Sequence, residues 1–438
     1  MKDENSLLIQ NGRVVDPSQN LDETASVLIL NGKVAKIGKD ADTAAKTRKG
    51  IEVFDASGKV VCPGFIDMHV HLREPGFEHK EDIASGTKAA ARGGFTSVAC
   101  MPNTNPVTDN SGTVDLIEHK SRMVGSVNVF PIGAATLGMQ GKDLSNVGEL
   151  VEAGAVAISD DGFPVQNSYV MRRVLEYAYM FGICFISHPE DTTLSAEGLM
   201  HEGYYSNLLG LKGIPAASEE VQISRDIILG EITGTPVHIA HVSTKGGVQM
   251  IRAAKERGVK VTAEATPHHF SLTDASLVSY DTNFKMKPPL RSEVDREAII
   301  EGLKDGTIDC IATDHAPHSE NEKTVEFDKA PFGVIGLETA IPVVLDKLHH
   351  SGILSLSQIV EKLSVNPARI LNLKGKGSLK EGADGDVTIL DLDREIEIDP
   401  RTFASKSRNT PFAGWKLKGA PAATILSGTV VFSATGKA

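Results

Sequence analysis

Histidines and aspartates follow several short apolar runs of the sequence, and these residue types can hold metal ions or move protons. His69 and His71 stand two residues apart in the run GFIDMHVH. In an extended strand both imidazoles face one side while Val70 faces the other. That spacing suits two ligands of one metal ion, but a His-x-His pair alone is a weak signal.

Further candidate ligands stand at the ends of other runs of the same kind. They are Asp160 and Asp161 in AVAISDD, His188 in ICFISH, His241 in VHIAHVS and Asp314 in IDCIATDHAPH. Carboxylates are rarely buried without partners, and a divalent cation is a natural partner for them. Because imidazoles combined with carboxylates suit zinc or a similar first-row ion, we predict a metal site where these runs end.

The runs that carry these residues alternate with helical patterns. They span residues 64–71, 96–103, 128–136, 155–161, 183–188, 237–243, 260–269 and 308–318. Amphipathic helices are predicted between them at 80–92, 168–181, 216–229, 244–257 and 293–304. Eight β segments alternating with helices predict an α/β fold, a (β/α)8 TIM barrel with its active site at the C-terminal strand ends. A doubly wound sheet is the alternative, but no glycine-rich phosphate fingerprint follows any run.

The two ends of the chain have a different pattern from the middle. The N-terminal part alternates apolar and polar residues, with Asn-Gly, Gly-Lys and Ser-Gly pairs that are typical of tight turns. The β pattern returns near the C-terminus, after two helical stretches at 336–350 and 355–371. We therefore expect a small β-sandwich module built from both chain termini. The expected boundaries are 1–62 and 372–438 for the module and 63–371 for the barrel.

Composition and charge exclude several classes of protein. Hydrophobic residues make up 41% and charged residues 23%, which argues for a large buried core and against a disordered chain. A net charge of -12 without a basic stripe argues against a nucleic-acid binder. No apolar run reaches the length of about 18 residues needed to span a membrane. Because the four cysteines form no CxxC pair and the N-terminus does not resemble a signal peptide, we expect reduced thiols and a cytoplasmic protein.

The sequence resembles a known family, the dihydroorotases, in a series of ordered motifs. These are GFIDMHVHLREPG (64–76), MPNTNP (101–106), SDDG (159–162), SHPED (187–191), HIAHVS (238–243) and ATDHAPH (312–318). The likeness is to the long-chain bacterial type (class I) of the amidohydrolase superfamily and extends to DGDVTILD (384–391). Each motif is moderately specific, whereas their order and spacing together are highly specific.

The resemblance implies a role for each candidate ligand. His69 and His71 match the metal ligands of the first strand, and Asp161 matches a carboxylate that bridges two metal ions. His188 and His241 match the ligands of the second ion. Many amidohydrolases use a carboxylated lysine as the bridge, but the run AVAISDDG contains none. The long-chain bacterial dihydroorotases also use Asp there, so the chain fits the subgroup.

The resemblance also implies the cofactor and the reaction. Two divalent ions per subunit, most consistent with Zn2+, are expected to share Asp161 and a bridging hydroxide. Asp314 matches a residue that is both a metal ligand and the catalytic general acid/base. The implied reaction is the reversible hydrolysis of (S)-dihydroorotate to N-carbamoyl-L-aspartate, in de novo pyrimidine (UMP) biosynthesis.

Substrate-binding positions carry over from the same family. The expected substrate contacts are His71, Arg73, Asn103, His318, Phe332 and Gly333. Arg73 presents a planar fork of donors that can grip the substrate carboxylate with two hydrogen bonds. The family often has Asn before PPLR, where this chain has Lys287, which could contact the anionic substrate or point elsewhere. The polar loop 315–333 follows the eighth run and is a candidate lid.

Two alternative functions differ from this interpretation in testable features. A hydantoinase or allantoinase is expected to carry the bridging lysine and to lack the arginine of HLREPG. A non-catalytic dihydroorotase-like scaffold for aspartate transcarbamoylase is expected to have lost ligands. The expected partners are the small-molecule substrate and further copies of the chain as a homo-oligomer, with aspartate transcarbamoylase as an open possibility. Neither nucleic acid nor membrane is an expected partner.

Overall fold

Parallel strands form the central sheet of the molecule. The structure is a computed structural model that describes residues 5–48 and 50–436. The strands, here called barrel strands 1 to 8, are Phe65–Val70, Phe95–Cys100, Asn128–Ala134, Ala157–Ser159, Cys184–Ser187, Val237–Ile239, Val261–Ala265 and Cys310–Ile311. Each pairs with the next one along the chain in parallel register. This is the order of a (β/α)8 barrel, as predicted.

The barrel closes between its first and eighth strands. The backbone N–H of His71 donates to the carbonyl of His315 at 2.8 Å, and Val70 forms a parallel bridge with the same residue. The buried Asp67 carboxylate accepts from the backbone N–H of Thr313 at 3.1 Å. Burial raises the pKa of Asp67 to about 7. The Asp67 side chain therefore provides one of the hydrogen bonds between the first strand and the chain after the eighth. Between the other barrel strands, backbone pairs provide these hydrogen bonds.

Apolar side chains fill the interior of the barrel. One buried cluster takes residues from successive strands, including Ile66, Met68, Ala99, Ile132, Ala157, Cys184, Ile186, Ala240, Cys310 and Ala312. All four cysteines of the chain are buried and unpaired, as predicted. Apolar groups fill much of the interior, and the side chains predicted as metal ligands lie at or just beyond the C-terminal strand ends.

Helices cover the outside of the barrel. The longer ones are Ile83–Arg92, Ser111–Val124, Ser168–Phe181, Ala217–Thr233, Lys245–Glu256 and Glu293–Asp305. Short helices are Val147–Glu152, Thr192–Ser195, Tyr204–Leu209, Pro267–Ser271 and Glu320–Lys323, and two-residue strands are Met200–His201 and Gly213–Ile214. The last predicted helical stretches contain Ala340–Val344, Leu345–His349, Leu356–Val360, Glu361–Val365 and Asn366–Ile370. In the described part of the chain, none of the helices has the length and apolar character needed to cross a membrane.

Residues from both ends of the chain form the second large sheet. Its strands are Leu7–Asp16, Leu21–Leu30, Lys33–Ile37, Glu52–Asp55, Val60–Pro63, Val387–Glu397, Lys416–Leu426 and Thr429–Ser433. The N-terminal and C-terminal parts join where Val60–Pro63 pairs antiparallel with Val387–Glu397. Thr388 links this module to the barrel, because its hydroxyl donates to Gly94 O at 2.8 Å and accepts from Phe65 N at 3.0 Å. The predicted module from both termini is confirmed.

Two local details differ from the predicted β pattern of the N-terminal part. Lys39–Lys46 is a helix, because this stretch lacks the apolar alternation of a strand and packs through the buried Ala41. Asn11 and Gly12 do not form a turn but lie inside Leu7–Asp16, where the pairing register shifts. A Cβ at Gly12 would lie 2.5 Å from Val61 Cγ2, so the close approach of the neighbouring strand requires glycine.

Candidate metal and substrate site at the barrel mouth

The side chains predicted as metal ligands meet at the C-terminal end of the barrel. They are His69, His71, Asp161, His188, His241 and Asp314, which end or closely follow barrel strands 1, 4, 5, 6 and 8. All of them are buried, with at most 7% of their surface exposed. Residues far apart in the chain therefore form one enclosed polar cluster, which we call the His/Asp cluster.

Asp161 lies at the centre of the His/Asp cluster. Its Oδ1 is 3.4 Å from His69 Nε2 and 3.3 Å from His188 Nδ1. The same oxygen is 3.7 Å from His241 Nε2, and Oδ2 is 3.5 Å from His71 Nε2. The donor atoms form two groups within 4.8 Å, His69–His71–Asp161 and Asp161–His188–His241. One carboxylate is thus shared by two sets of three possible ligands.

Asp314 faces the first of these two groups. Its Oδ1 lies 3.1 Å from His71 Nε2 and 3.5 Å from His69 Nε2. The backbone φ of Asp314 is +48°, a left-handed conformation that costs energy for a residue other than glycine. The next residue, His315, holds this turn, because its Nδ1 accepts from the backbone N–H of Gly336 at 3.2 Å. The strained backbone aims the Asp314 carboxylate into the cluster.

Hydrogen bonds on the far side of three imidazoles fix their orientation. The contacts are His69 Nδ1 to Glu264 at 2.6 Å, His71 Nδ1 to Asn103 Oδ1 at 2.9 Å and His188 Nε2 to Glu190 at 3.2 Å. Each acceptor takes the proton of one ring nitrogen and leaves the lone pair of the other nitrogen facing the cluster. The imidazoles are therefore set in the tautomers that metal ligation requires.

Two buried atoms of the cluster are suited to bind a cation. His241 Nε2 and His188 Nδ1, 2.9 Å apart, lie within hydrogen-bond distance of each other. Within residues 5–48 and 50–436, His69 Nε2 and Asp161 Oδ1 have no hydrogen-bond partner although both are buried. Unpaired buried polar atoms are costly. Imidazole nitrogens converging on a shared carboxylate therefore fit divalent cations such as Zn2+.

The carboxylates of the cluster favour positive charge at this position, either as a proton on an imidazole or as a metal ion in its place. Burial alone would lower the pKa of His69, but the carboxylates of Asp161 and Glu264 raise it well above its usual range. Burial would raise the pKa of Asp161, but His69, His188 and His241 lower it well below its usual range. Asp161 is consequently ionised near neutral pH, as a metal ligand must be.

The predicted substrate contacts lie at the rim of the same cluster. Arg73 Nε donates to the carbonyl of Pro317 at 3.1 Å, and Nη2 lies 3.4 Å from His318 Nε2. Burial lowers the pKa of Arg73 to about 10, so its guanidinium remains a cation near neutral pH. Asn103 reaches the cluster through its contact with His71. The structure thus brings an arginine and an amide beside the two groups of possible ligands.

The loop after barrel strand 8 supplies the other side of the rim. His318 Nε2 donates to the carbonyl of Phe332 at 2.9 Å. Burial and the charges of Arg73 and Lys80 lower the pKa of His318 to about 2, so this ring is neutral. Gly333 has φ +133°, and a Cβ there would lie 3.0 Å from His318 Nε2. Only glycine fits this close contact between loop and histidine.

Two nearby charged residues do not join the cluster. Asp160, named above as a candidate ligand, points away and accepts from the backbone N–H groups of Ala135 at 2.8 Å and Thr136 at 3.1 Å. Lys287 also points elsewhere, because its Nζ lies 2.7 Å from Glu190 Oε1 and 5.2 Å from the centre of the Phe332 ring. The lysine that replaces the family's asparagine is thus occupied by a carboxylate of the protein.

The sequence reasoning missed the carboxylates behind the histidines. Glu264 lies in barrel strand 7 and is fully buried, and Glu190 follows His188 by two residues. A glutamate inside the run KVTAEATPHH is a signal that could have identified Glu264, since charged residues are rarely buried without a partner. For Glu190 the motif SHPED offered only proximity to His188 along the chain.

Solved structures with the same architecture define the class of the protein. The fold is similar to that of the L-hydantoinase (dihydropyrimidinase) from Arthrobacter aurescens, with a TM-score of 0.88 and 27% sequence identity over 99% of this chain and 96% of that chain. Dihydropyrimidinase from Brevibacillus agri has the same fold, with a TM-score of 0.85, 24% identity and coverage of 98% and 95%. The fold and the cluster at its mouth are those of a TIM-barrel amidohydrolase.

Sequence comparisons define the family more narrowly. A family model described as dihydro-orotase-like matches residues 58–247. The dihydroorotase of Pelotomaculum thermopropionicum is 58% identical over 425 residues, which cover 97% of this chain and 98% of the relative. That of Geobacter metallireducens is 55% identical over 427 residues, with coverage of 98% and 99%. The chain belongs to the dihydroorotase family.

Proposed function

We propose that this protein is a dihydroorotase, which hydrolyses (S)-dihydroorotate to N-carbamoyl-L-aspartate and catalyses the reverse ring closure in pyrimidine biosynthesis. The observation that carries this proposal is Arg73 at the rim of the His/Asp cluster, in a chain 58% identical to a dihydroorotase. Dihydroorotate has an exocyclic carboxylate that an arginine can bind with two charge-assisted hydrogen bonds. Hydantoin lacks this group, so Arg73 favours dihydroorotate.

We propose that the cluster holds two divalent ions, with Zn2+ the element its donors suit best. His69 and His71 would hold one ion, His188 and His241 the other, and Asp161 would serve both. Bound there, the ions would supply Lewis acidity and lower the pKa of a water molecule to about 7. The two overlapping groups of donor atoms within 4.8 Å support this assignment.

Asp314 is the proposed catalytic residue and a further ligand of the first ion. Its position 3.1 Å from His71 Nε2 places the carboxylate beside the first group of donors. In ring opening it would accept the proton of the attacking water and deliver it to the leaving ring nitrogen. In ring closure the same carboxylate would move the proton in the opposite direction. Such positioned proton transfer is typically worth about 10²–10⁴ in rate.

Substrate binding is proposed to involve the rim of the cluster. The Arg73 guanidinium would hold the carboxylate of dihydroorotate. Asn103 would donate from its amide nitrogen, since its Oδ1 already contacts His71. His71, His318, Phe332 and Gly333 would complete the pocket. These contacts would orient the scissile carbonyl toward the His/Asp cluster and keep bulk water out.

The alternative functions receive less support. A hydantoinase would share the fold, but it would have no substrate carboxylate for Arg73. A non-catalytic scaffold would be free to lose ligands, whereas His69, His71, Asp161, His188, His241 and Asp314 all point into one cluster. Association into a homo-oligomer and with aspartate transcarbamoylase stay predictions that oligomer measurements on the purified chain would test.

The direct test of the proposed function is a substrate panel. The purified protein would be assayed for opening of dihydroorotate, hydantoin and allantoin rings, and for closure of carbamoyl aspartate, with products separated by chromatography. We expect interconversion of dihydroorotate and carbamoyl aspartate in both directions. Faster turnover of hydantoin or allantoin than of dihydroorotate would contradict the proposal.

A further inference from the structure

Glu264 lies directly behind the His/Asp cluster and contacts three groups at once. Its Oε1 accepts from His69 Nδ1 at 2.6 Å, and its Oε2 accepts from His238 Nε2 at 3.1 Å. The backbone N–H of His241 also donates to Oε1, at 3.3 Å. The side chain of Glu264 is completely buried. An ionised carboxylate only accepts hydrogen bonds, so all three contacting groups must donate to it.

These contacts reach both groups of possible ligands. His69 belongs to the first group and His241 to the second. His241 has a backbone φ of +32°, and its Nδ1 has no hydrogen-bond partner in the described residues. The His69 imidazole is held by a hydrogen bond through its second ring nitrogen, whereas within the described chain the His241 imidazole is not. The Glu264 carboxylate therefore helps to hold the strained conformation that turns His241 toward Asp161, together with the backbone hydrogen bond from Val242 N to Glu264 O at 2.9 Å.

Glu190 provides a useful contrast to Glu264. It also accepts from a ring nitrogen of the cluster, His188 Nε2, at 3.2 Å. Its second oxygen pairs with Lys287 at 2.7 Å and therefore does not reach the first group. One buried carboxylate thus contacts both groups of possible ligands, and the other contacts only the second.

We propose that Glu264 is a positioning residue shared by the two halves of the metal centre. This inference rests on the proposed function, because it assumes that the His/Asp cluster binds two ions. Glu264 fixes the proton of His69 on Nδ1, which directs the Nε2 lone pair to the first ion. Through the backbone of His241 it also holds a ligand of the second ion. Loss of such a hydrogen-bond partner typically weakens metal binding by about 10–100-fold.

Glu264→Ala and Glu264→Gln separate the charge of the residue from its geometry. Glutamine can still accept from His69 Nδ1 through its amide oxygen. Its amide N–H would then face His238 Nε2, which accepts when the His238 proton lies on Nδ1. His238 Nδ1, which is 2.9 Å from Thr262 Oγ1, would then donate to that hydroxyl. We therefore expect Glu264→Gln to preserve more of the metal binding than Glu264→Ala.

The experiment measures Zn2+ content per subunit and the rate of Zn2+ release to a chromogenic chelator, on folded protein. We expect both ions of Glu264→Ala to be released about 10–100-fold faster than in the wild type. Glu264→Gln should fall between the two, and Glu190→Gln should accelerate the release of one ion only. Asp16→Asn is the control, because Asp16 is an equally buried carboxylate in the terminal module, where it accepts from Leu379 N at 2.7 Å.

The possible outcomes separate this inference from the proposed function. Two ions bound by the wild type and released at the same rates from folded Glu264→Ala would overturn the positioning role, even if the variant melted at a lower temperature. Selective loss of one ion from Glu264→Ala would also overturn it, since the role would then not be shared. A wild-type protein that binds no Zn2+ would instead contradict the metal centre of the proposed function.

Discussion

Asp161 has four histidine nitrogens within 3.7 Å of its carboxylate, and its removal tests how the proposed metal centre is built. Asp161→Ala should lose the second ion in particular, because only His188 and His241 would remain to hold it. Metal content would be measured by atomic absorption. A bridging lysine must first react with carbon dioxide to become a carboxylate, whereas an aspartate already is one. Reconstitution of metal-free protein should therefore not depend on bicarbonate.

Asp160→Ala is the matched control for this change. Asp160 is the adjacent buried carboxylate, but it binds the backbone of Ala135 and Thr136. The variant should therefore lose stability, by about 1–3 kcal/mol for buried donors left unpaired, while keeping its metal. A larger metal loss in the Asp160 variant than in the Asp161 variant, or a bicarbonate requirement, would refute the bridging role.

Arg73→Met tests recognition of the substrate carboxylate. A charge-assisted hydrogen bond is worth about 1.5–3 kcal/mol, which corresponds to about a 10–100-fold loss in kcat/KM for dihydroorotate. Metal content should not change, because the guanidinium contacts Pro317 and His318 and is no ligand. Steady-state kinetics and metal analysis of the same sample would check both expectations. Wild-type kinetics in the variant would show that Arg73 does not anchor the substrate.

At the residue scale, the sequence predicted the side chains that meet but not those that orient them. His69, His71 and Asp314 were predictable because their types and their positions at strand ends suit metal chemistry. Glu264 and Asp67 were not singled out, because their partners come from distant strands and only folding brings these together. From the sequence, Lys287 could either contact the substrate or point away from it. In the structure it points toward Glu190 and pairs with that carboxylate.

At the scale of elements, the loop 315–333 is tied to the barrel by a buried lysine. Lys323 Nζ donates to the carbonyls of Pro331 and Gly333, each at 3.0 Å, and to that of Lys285 at 3.3 Å. Lys323→Met would leave these carbonyls without their donor and loosen the segment that contacts His318. We expect a several-fold higher KM for dihydroorotate and faster hydrogen exchange in this loop, with unchanged metal content.

Lys329→Met serves as the matched control for the loop. Lys329 lies in the same loop, but its side chain is 65% exposed and pairs with Glu326 on the surface. Exposed ion pairs contribute little, so kinetics and exchange should stay close to the wild type. Equal effects of the two substitutions, or no effect of Lys323→Met, would argue against an anchoring role of Lys323.

The positions of the elements followed from apolar patterning, but their ends did not. The last predicted run covers 308–318, whereas the strand is only Cys310–Ile311. Beyond it, Thr313 N donates to the Asp67 side chain and Asp314 turns into the left-handed region, so strand pairing stops. The helix Lys39–Lys46 was missed for a related reason, since the surrounding alternation favoured strands on both sides.

For the whole molecule, Asp384 joins the two ends of the chain within the terminal module. It pairs with Lys33 from the N-terminal part and, at 2.8 Å, with Lys376 from the C-terminal part. Burial would raise the pKa of Asp384, but the hydrogen bonds from Lys33 and Lys376 lower it below its usual value. A lowered folded-state pKa adds stability above the unfolded pKa of about 3.9, and this is lost as pH falls through the folded value.

Asp384→Asn should therefore destabilise the protein at pH 7, with a difference from the wild type that shrinks as the pH falls toward 4 and below. Urea unfolding at several pH values would measure this. Asp393→Asn is the control, because Asp393 also pairs with a lysine, Lys418 at 3.0 Å, but is 86% exposed. It should cost little at any pH. A constant penalty for Asp384→Asn across the pH range would contradict the electrostatic explanation.

We propose the division of the chain into a module of residues 1–62 and 372–438 and a barrel of residues 63–371. The pattern change at the chain ends predicted this division, but pairing between the two ends required the structure. The pairing of Val60–Pro63 with Val387–Glu397 spans more than three hundred residues of sequence. No local pattern specifies such a partner, because neighbouring β segments offer equivalent edges.

If a metal-loaded His/Asp cluster opens the dihydroorotate ring, hydrolysis must rise with bound metal, and a metal titration measures both. Metal-free protein would receive Zn2+ stepwise, with dihydroorotate hydrolysis and bound metal measured at every step. We predict negligible activity without metal and an increase that ends at two ions per subunit. Full activity in the metal-free protein, or two bound ions without hydrolysis of dihydroorotate, would contradict a metal-dependent dihydroorotase.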